Sequence, residues 1–168
     1  SRRSSERATA MATTRGAFIL TEAAQMIPLL QRILRDVREA RSRLCQIDRT
    51  LASLEEGDRN DVVEERRRWR RRLADCLAEA FCLGVEITPG VRCEALIPFE
   101  HQWIGPQGDG KIRPAYFVYN DAQNTITEWF FSGWPNDRRK VNPRWWRQFR
   151  PAPPRRLQTK LQIKRQPA

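Results

Sequence analysis

"TEAAQMIPLLQRILRDVREARSRLCQIDRTLASLEE", residues 21–56, carries the pattern that decides the fold. With Leu30 at heptad position a, the a positions are Ala23, Leu30, Val37, Leu44 and Leu51. The d positions are Met26, Ile33, Ala40, Ile47 and Leu54, so every seam position over five heptads is apolar. A seam of this length is of coiled-coil grade and predicts a long helix that must bury one face. Thr21 is placed to cap the first amides, and Glu22 sits favourably against the dipole. Arg32–Asp36 and Glu39–Arg43 are spaced as ion pairs one turn apart. Pro28 is discordant: it lacks an amide and crowds the carbonyl four residues back, so a kink or broken first turn is expected.

Working outward, "EEGDRN" around Gly57 breaks the pattern, and Asp61 with Glu64 forms a candidate capping box. A second helix follows through "VVEERRRWRRRLADCLAEAFCLG". Its apolar line is Val62, Trp69, Leu73, Cys76, Leu77, Ala80, Phe81 and Leu83. Gly84 suits a left-handed C′ residue, with Val85 making the hydrophobic contact of a Schellman stop. Two long amphipathic helices joined by a short break predict an antiparallel hairpin. In "RRRWRRR", residues 66–72, Trp69 falls with the core line. Arg68 and Arg71 can meet Glu64 and Asp75, and the other arginine stems can cover the seam with their charges in water. A solvated helix face is therefore expected, with phosphate contact or a partner contact as the alternatives.

Beyond Gly84 the periodicity changes. "VEITPGV" reads as a short strand and turn, "EALIPFEHQW" as an extended piece with Pro98 favouring an edge, and "PQGDGK" as a loop without the phosphate-loop pattern. Tyr116–Tyr119 and Thr125–Phe131 are β-prone runs joined by "NDAQN". Alternation places Ile126 with Glu128 on one face, and Thr127, Trp129 and Phe131 on the other. Two strands alone are marginal, so a third is expected from 85–99. The fold class is therefore α+β: a long antiparallel helical hairpin packed against a small antiparallel β-sheet, with a basic C-terminal tail. The expected organisation is a disordered segment at 1–17, one domain at 18–141, and a basic, aromatic, proline-containing tail at 142–168.

The formal charge of +11 is carried by the ends. Residues 1–17 contribute +3 and residues 138–168 contribute eleven cations and no acid, while 18–137 holds sixteen cations against nineteen acids. Cys45, Cys76, Cys82 and Cys93 form no CxxC pair; Cys45 and Cys76 read as small buried helix residues, and neither a zinc site nor a disulfide is expected. No apolar run is long enough to span a bilayer and no secretory leader is evident, so a cytoplasmic location is expected, with Met11 an alternative start. Glu86, Glu94, Glu100, Asp109, Asp121 and Glu128 are scattered. His101 is alone, and Ser132 lacks a nucleophile-elbow context. No catalytic residues, cofactor or metal are assigned.

The stretch "FILTEAAQMIPLLQRIL", the hairpin ending "CLGVEI", and "YFVYNDAQNTITEWFFSGWPNDRRKV" together resemble a bacterial family known as a domain of unknown function. The resemblance covers residues 18–141. Phe18, Glu22, Ala23, Pro28, Leu29 and Leu30 match its F-[ST]-x-x-E-A…P-L-L opening, and Gly84 and Val85 match the end of its helical pair. It implies that Pro28 is tolerated and that helices and β region form one unit, and it brings no activity. Phe130 stands where the family carries a histidine after the tryptophan matched by Trp129. "LIPFE" likewise lacks the family's aspartate before Phe-Pro.

The tail opens with "NPRWWRQF", a short helix capped by Asn142 with Pro143 at its first position, in which Trp145, Trp146 and Phe149 can form one patch. "PAPP" then favours polyproline II. The two tryptophans can dock the tail to the domain, meet another protein, or stack bases. Two functional classes follow. One is a non-enzymatic interaction or scaffold domain contacting another protein. The other is an accessory RNA-binding protein, with Arg138, Arg139, Lys140, Arg144, Arg147 and Arg150 on phosphates and Trp145 or Trp146 stacking bases. A small enzyme is the third alternative, and the oligomeric state is left open.

Overall fold

The computed structural model describes residues 17–55, 59–104 and 108–148. The chain runs through three helices, α1 (Leu20–Gln25), α2 (Ile27–Ser53) and α3 (Asn60–Cys82). Five strands follow: β1 (Glu86–Ile87), β2 (Ala95–Gln102), β3 (Ile112–Tyr119), β4 (Glu128–Phe131) and β5 (Arg139–Lys140). A 3-10 turn at Pro143–Arg147 completes the described elements.

Pro28 breaks the first helix as its chemistry requires. The break falls at Met26, and the proline sits in the first turn of α2, where its missing amide costs no helical bond. Thr21 is not the cap. Ile19 occupies that position, the Glu22 carboxylate accepts from the Ile19 amide at 3.1 Å, and the Thr21 hydroxyl donates to the Gln148 carbonyl at 2.9 Å. Nor does Asp61 cap α3, which starts from Arg59 without a side-chain cap. The far end of α3 closes as a Schellman motif: Gly84 has φ +77°, its amide donates to Phe81, and the Val85 amide donates to Ala80 at 3.0 Å.

α2 and α3 form an antiparallel hairpin, and the predicted seam is buried or half-buried along its whole length, its first half also facing the sheet. Ala23, Leu30, Ile33, Val37, Ala40 and Ile47 are buried, while Met26, Leu44, Leu51 and Leu54 are half-buried. Two expected core residues are exposed instead. Cys45 lies beside the seam, and Phe81 sits about 100° around α3 from buried Ala80, leaving it 67% exposed. The ion pairs expected along α2 are replaced by pairs across the groove, Arg32–Glu79, Arg43–Glu65 at 2.8 Å and Arg72–Glu39 at 3.4 Å, joined by Arg66–Asp48 at 2.7 Å. In α3, Glu64 pairs with Arg67 rather than Arg68. A long guanidinium stem reaches the facing helix and covers the seam on the way, which a pair along one helix does not do. Exposed pairs of this kind contribute at most about 1 kcal/mol each.

The sheet is an antiparallel meander in the order β1-β2-β3-β4-β5. β1 covers only Ala95 and Leu96 of β2, so Pro98 lies on a locally free edge, where its carbonyl accepts from the Phe18 amide at 3.0 Å. The third strand expected from 85–99 is thus two strands, and β5 was not anticipated. The connection 120–127 is longer than a tight hairpin, and its Ile126 is buried in the main core rather than sharing a face with Glu128. Strand alternation does not hold there because Ile126 precedes the paired strand, which begins at Glu128.

The inner face of the sheet presents Ala95, Ile97, Phe99, Ala115, Phe117, Tyr119, Trp129 and Phe131 to Leu20, Ala23, Leu30, Ile33, Leu34 and Val37. Arg38 clamps Asp121 with two bonds of 2.6 Å, and Arg41 donates to the carbonyls of Thr88 and Gly90. From Arg43 onward the cross-element side-chain bonds of α2 among the described residues reach only α3. The sheet therefore rests on the first half of α2, and the hairpin extends past it.

Candidate interaction surface

Beyond α1 the inner face of the sheet carries an aromatic array. Register sets it: on β2 the residues Ile97, Phe99 and His101 alternate inward, opposite Phe117, Ala115 and Arg113 on β3. Trp129 and Phe131 of β4 continue the row, and Arg139 of β5 lies opposite Trp129. Phe99 and Phe117 stack at 3.9 Å between ring centroids, and Trp129 meets Phe99 edge-on at 5.5 Å. Phe131 is 5.0 Å from Trp129.

His101 belongs to β2, within the piece expected to be extended. Its ring lies 4.9 Å from Trp129 and 5.0 Å from Trp145. Burial first, and the nearby Arg139 charge second, lower its pKa, so the neutral imidazole is favoured. No carboxylate hydrogen-bonds it among the described residues, which leaves it without the orienting partner of a catalytic base.

The 3-10 turn folds back onto this array. The Asn142 side chain accepts from the Arg144 amide at 2.9 Å with Pro143 at the first position, as the local sequence predicts. Trp145 enters the aromatic row, 5.8 Å from Phe99 and 5.6 Å from Trp129. Trp146 does not join it. Successive residues of a 3-10 turn point about 120° apart, so packing one ring turns the next outward, and Trp146 is 37% exposed. Phe149, the third member of the expected patch, lies outside the described residues.

The cations expected on phosphates have different fates. Arg138 pairs with Glu94 at 2.9 Å over the Phe130 ring, Arg139 pairs with Asp137 at 2.8 Å while lying over Trp129 and Phe131, and Lys140 pairs with Glu128 at 2.9 Å. Arg144 and Arg147 are exposed with no ion pair among the described residues, and Arg150 lies outside them. The end of the sheet holds residues the sequence reading did not group. Trp103 and Trp134 approach to 4.9 Å, Arg113 lies 4.3 Å over Trp103, and Ile104 and Ile112 beside them are 70% and 68% exposed. Strict alternation through 97, 99, 101 and 103 was the signal that could have placed Trp103 with Phe99.

The described residues contain no group of histidine, cysteine and carboxylate side chains able to hold a metal ion, and no helix long and apolar enough to cross a membrane. Comparison with protein-family models, curated proteins and solved structures finds no match.

Proposed function

We propose that the protein is a non-enzymatic interaction domain, a cytoplasmic member of the bacterial family its motifs resemble, that docks another protein at the end of its sheet. The observation that carries this reading is the exposed apolar rim of Trp134, Ile104 and Ile112 around Trp103. Exposed aromatic and aliphatic side chains on a rigid strand framework are what an apolar anchor of a partner covers. Arg144 and Arg147, exposed on the turn and without an ion pair among the described residues, favour a partner segment with flanking carboxylates.

The test compares the intact chain with its Trp134→Ser/Ile112→Ser variant in affinity isolation from the native cell after nuclease treatment. A protein retained by the first and absent with the second, at equal melting temperatures, is the expected result. Identical recoveries would sink the proposal. A second reading, accessory RNA binding, is favoured by Arg144, Arg147 and exposed Trp146, with Arg150 following them. Under it, single-stranded RNA binds with an affinity that falls steeply with salt, and Trp146→Ala weakens binding by about 1–3 kcal/mol with little change in salt slope.

A further inference from the structure

The outward face of α3 is divided along its length. The N-terminal part of α3 contains six arginines between 66 and 72, whereas 73–82 holds no cation and two carboxylates. Of these, Glu79 is paired with Arg32 of α2 and Asp75 is left on the outward face. Arg66, Arg67 and Arg72 are engaged by Asp48, Glu64 and Glu39. Arg68, Arg70 and Arg71 are exposed and have no carboxylate partner among the described residues, and Asp75 is exposed with no cation on it. Ala74, Ala78 and Phe81 complete this face at helical spacing, and the Phe81 ring is 67% exposed although α3 buries its other large apolar residues at least in part.

We propose that this face pairs antiparallel with the same face of a second copy of the chain, about a two-fold axis near Ala74. An isologous contact needs a surface complementary to its own rotated image. Reversal brings the basic half of one α3 against the apolar and acidic half of the other. Arg67 then faces Phe81 of the second copy, a cation over an aromatic ring. Arg70 and Arg71 face Ala78 and Asp75. The alanines at the axis let the two helices approach closely. The parallel arrangement sets the arginine runs side by side and is disfavoured by like-charge repulsion. One helix pair is a small interface, at the weak end of the range below about 1,200 Å², so the dimer forms reversibly with concentration.

Sedimentation equilibrium of the full chain over a range of concentrations tests this. The apparent mass rises from 19.7 kDa toward twice that value. Phe81→Arg and Arg67→Glu are both at exposed positions, so each variant keeps the fold by circular dichroism. Each weakens the dimer about tenfold or more. An equimolar mixture of the two variants recovers association, because the introduced charges meet across one of the two equivalent contacts. A wild-type chain that stays monomeric throughout, or a dimer that neither variant weakens, would overturn the proposal. A mixture that remains monomeric while each single variant is weakened would overturn the antiparallel pairing.

Discussion

Residues 66–72 and 138–147 are the two stretches in which tryptophan is embedded among cations, and their fates differ. In α3 the geometry is periodic. Trp69 turns toward α2 with Arg72 over its ring at 5.1 Å, some arginines cross to acids, and Arg68, Arg70 and Arg71 face water. In the second stretch the backbone changes from strand to 3-10 turn. Neighbours there take unrelated directions, and Arg138, Arg139 and Lys140 are each matched to a carboxylate. Composition does not decide whether a basic–aromatic run is a binding surface. What decides it is how many of its cations and rings the fold has already engaged.

The largest expected effect tests the docking of Trp145. Trp145→Ala removes a half-buried ring from the aromatic row and should cost about 2–3 kcal/mol by urea unfolding, below the ~3–5 of a fully buried tryptophan. Trp146→Ala should stay within about 0.5 kcal/mol. For the same reason, a chain ending after residue 141, which lacks the turn, should unfold at lower urea than one ending after residue 148. Equal losses for the two tryptophans would mean that the turn does not pack as described.

Trp69→Ala should cost less, about 1–2 kcal/mol, because among the described residues the half-buried ring caps a two-helix seam with no third layer over it. A loss above that of Trp145→Ala would reverse the comparison.

Acid titration separates two further sites by window. The Asp121 carboxyl is held below its ordinary value of 3.8, chiefly by its hydrogen bonds to Arg38. Ionisation is favoured in the folded state, so this stability is complete above about pH 4 and is lost as pH falls through the lowered value. The His101 pKa is also lowered, by burial and by Arg139, from an ordinary 6.5. Its contribution is complete above that pH and declines as pH falls below it. Asp121→Asn should weaken the lower-pH dependence, which Asp109 shares, and His101→Gln should remove the upper one, measured as midpoint against pH. Loss of the upper dependence in Asp121→Asn would refute the assignment.

The smallest effects belong to the arginines. Arg66→Ala, which breaks the pair with Asp48, should cost at most about 1 kcal/mol and less at high salt. Arg70→Ala should leave monomer stability within about 0.5 kcal/mol. An Arg70→Ala loss exceeding that of Arg66→Ala would show that the outward arginines are not free.

The heptad seam, the break at Pro28 and the stop at Gly84 and Val85 could be read from sequence because each depends on residues within one or two helical turns. The antiparallel hairpin and the β3–β4 pair followed from the same local periodicity. Burial of Ile126, exposure of Phe81, cross-groove ion pairing and the entry of Trp145 into the aromatic row could not. Each depends on which distant surface lies opposite, and a side chain's own spacing carries no record of that. The candidate site shows the division most clearly. Its rings and cations were conspicuous in residues 129–147, but Phe99, His101, Trp103 and Arg113 reach them only through strand register. Register is a tertiary property, since sliding a strand by one residue reverses every side chain's face.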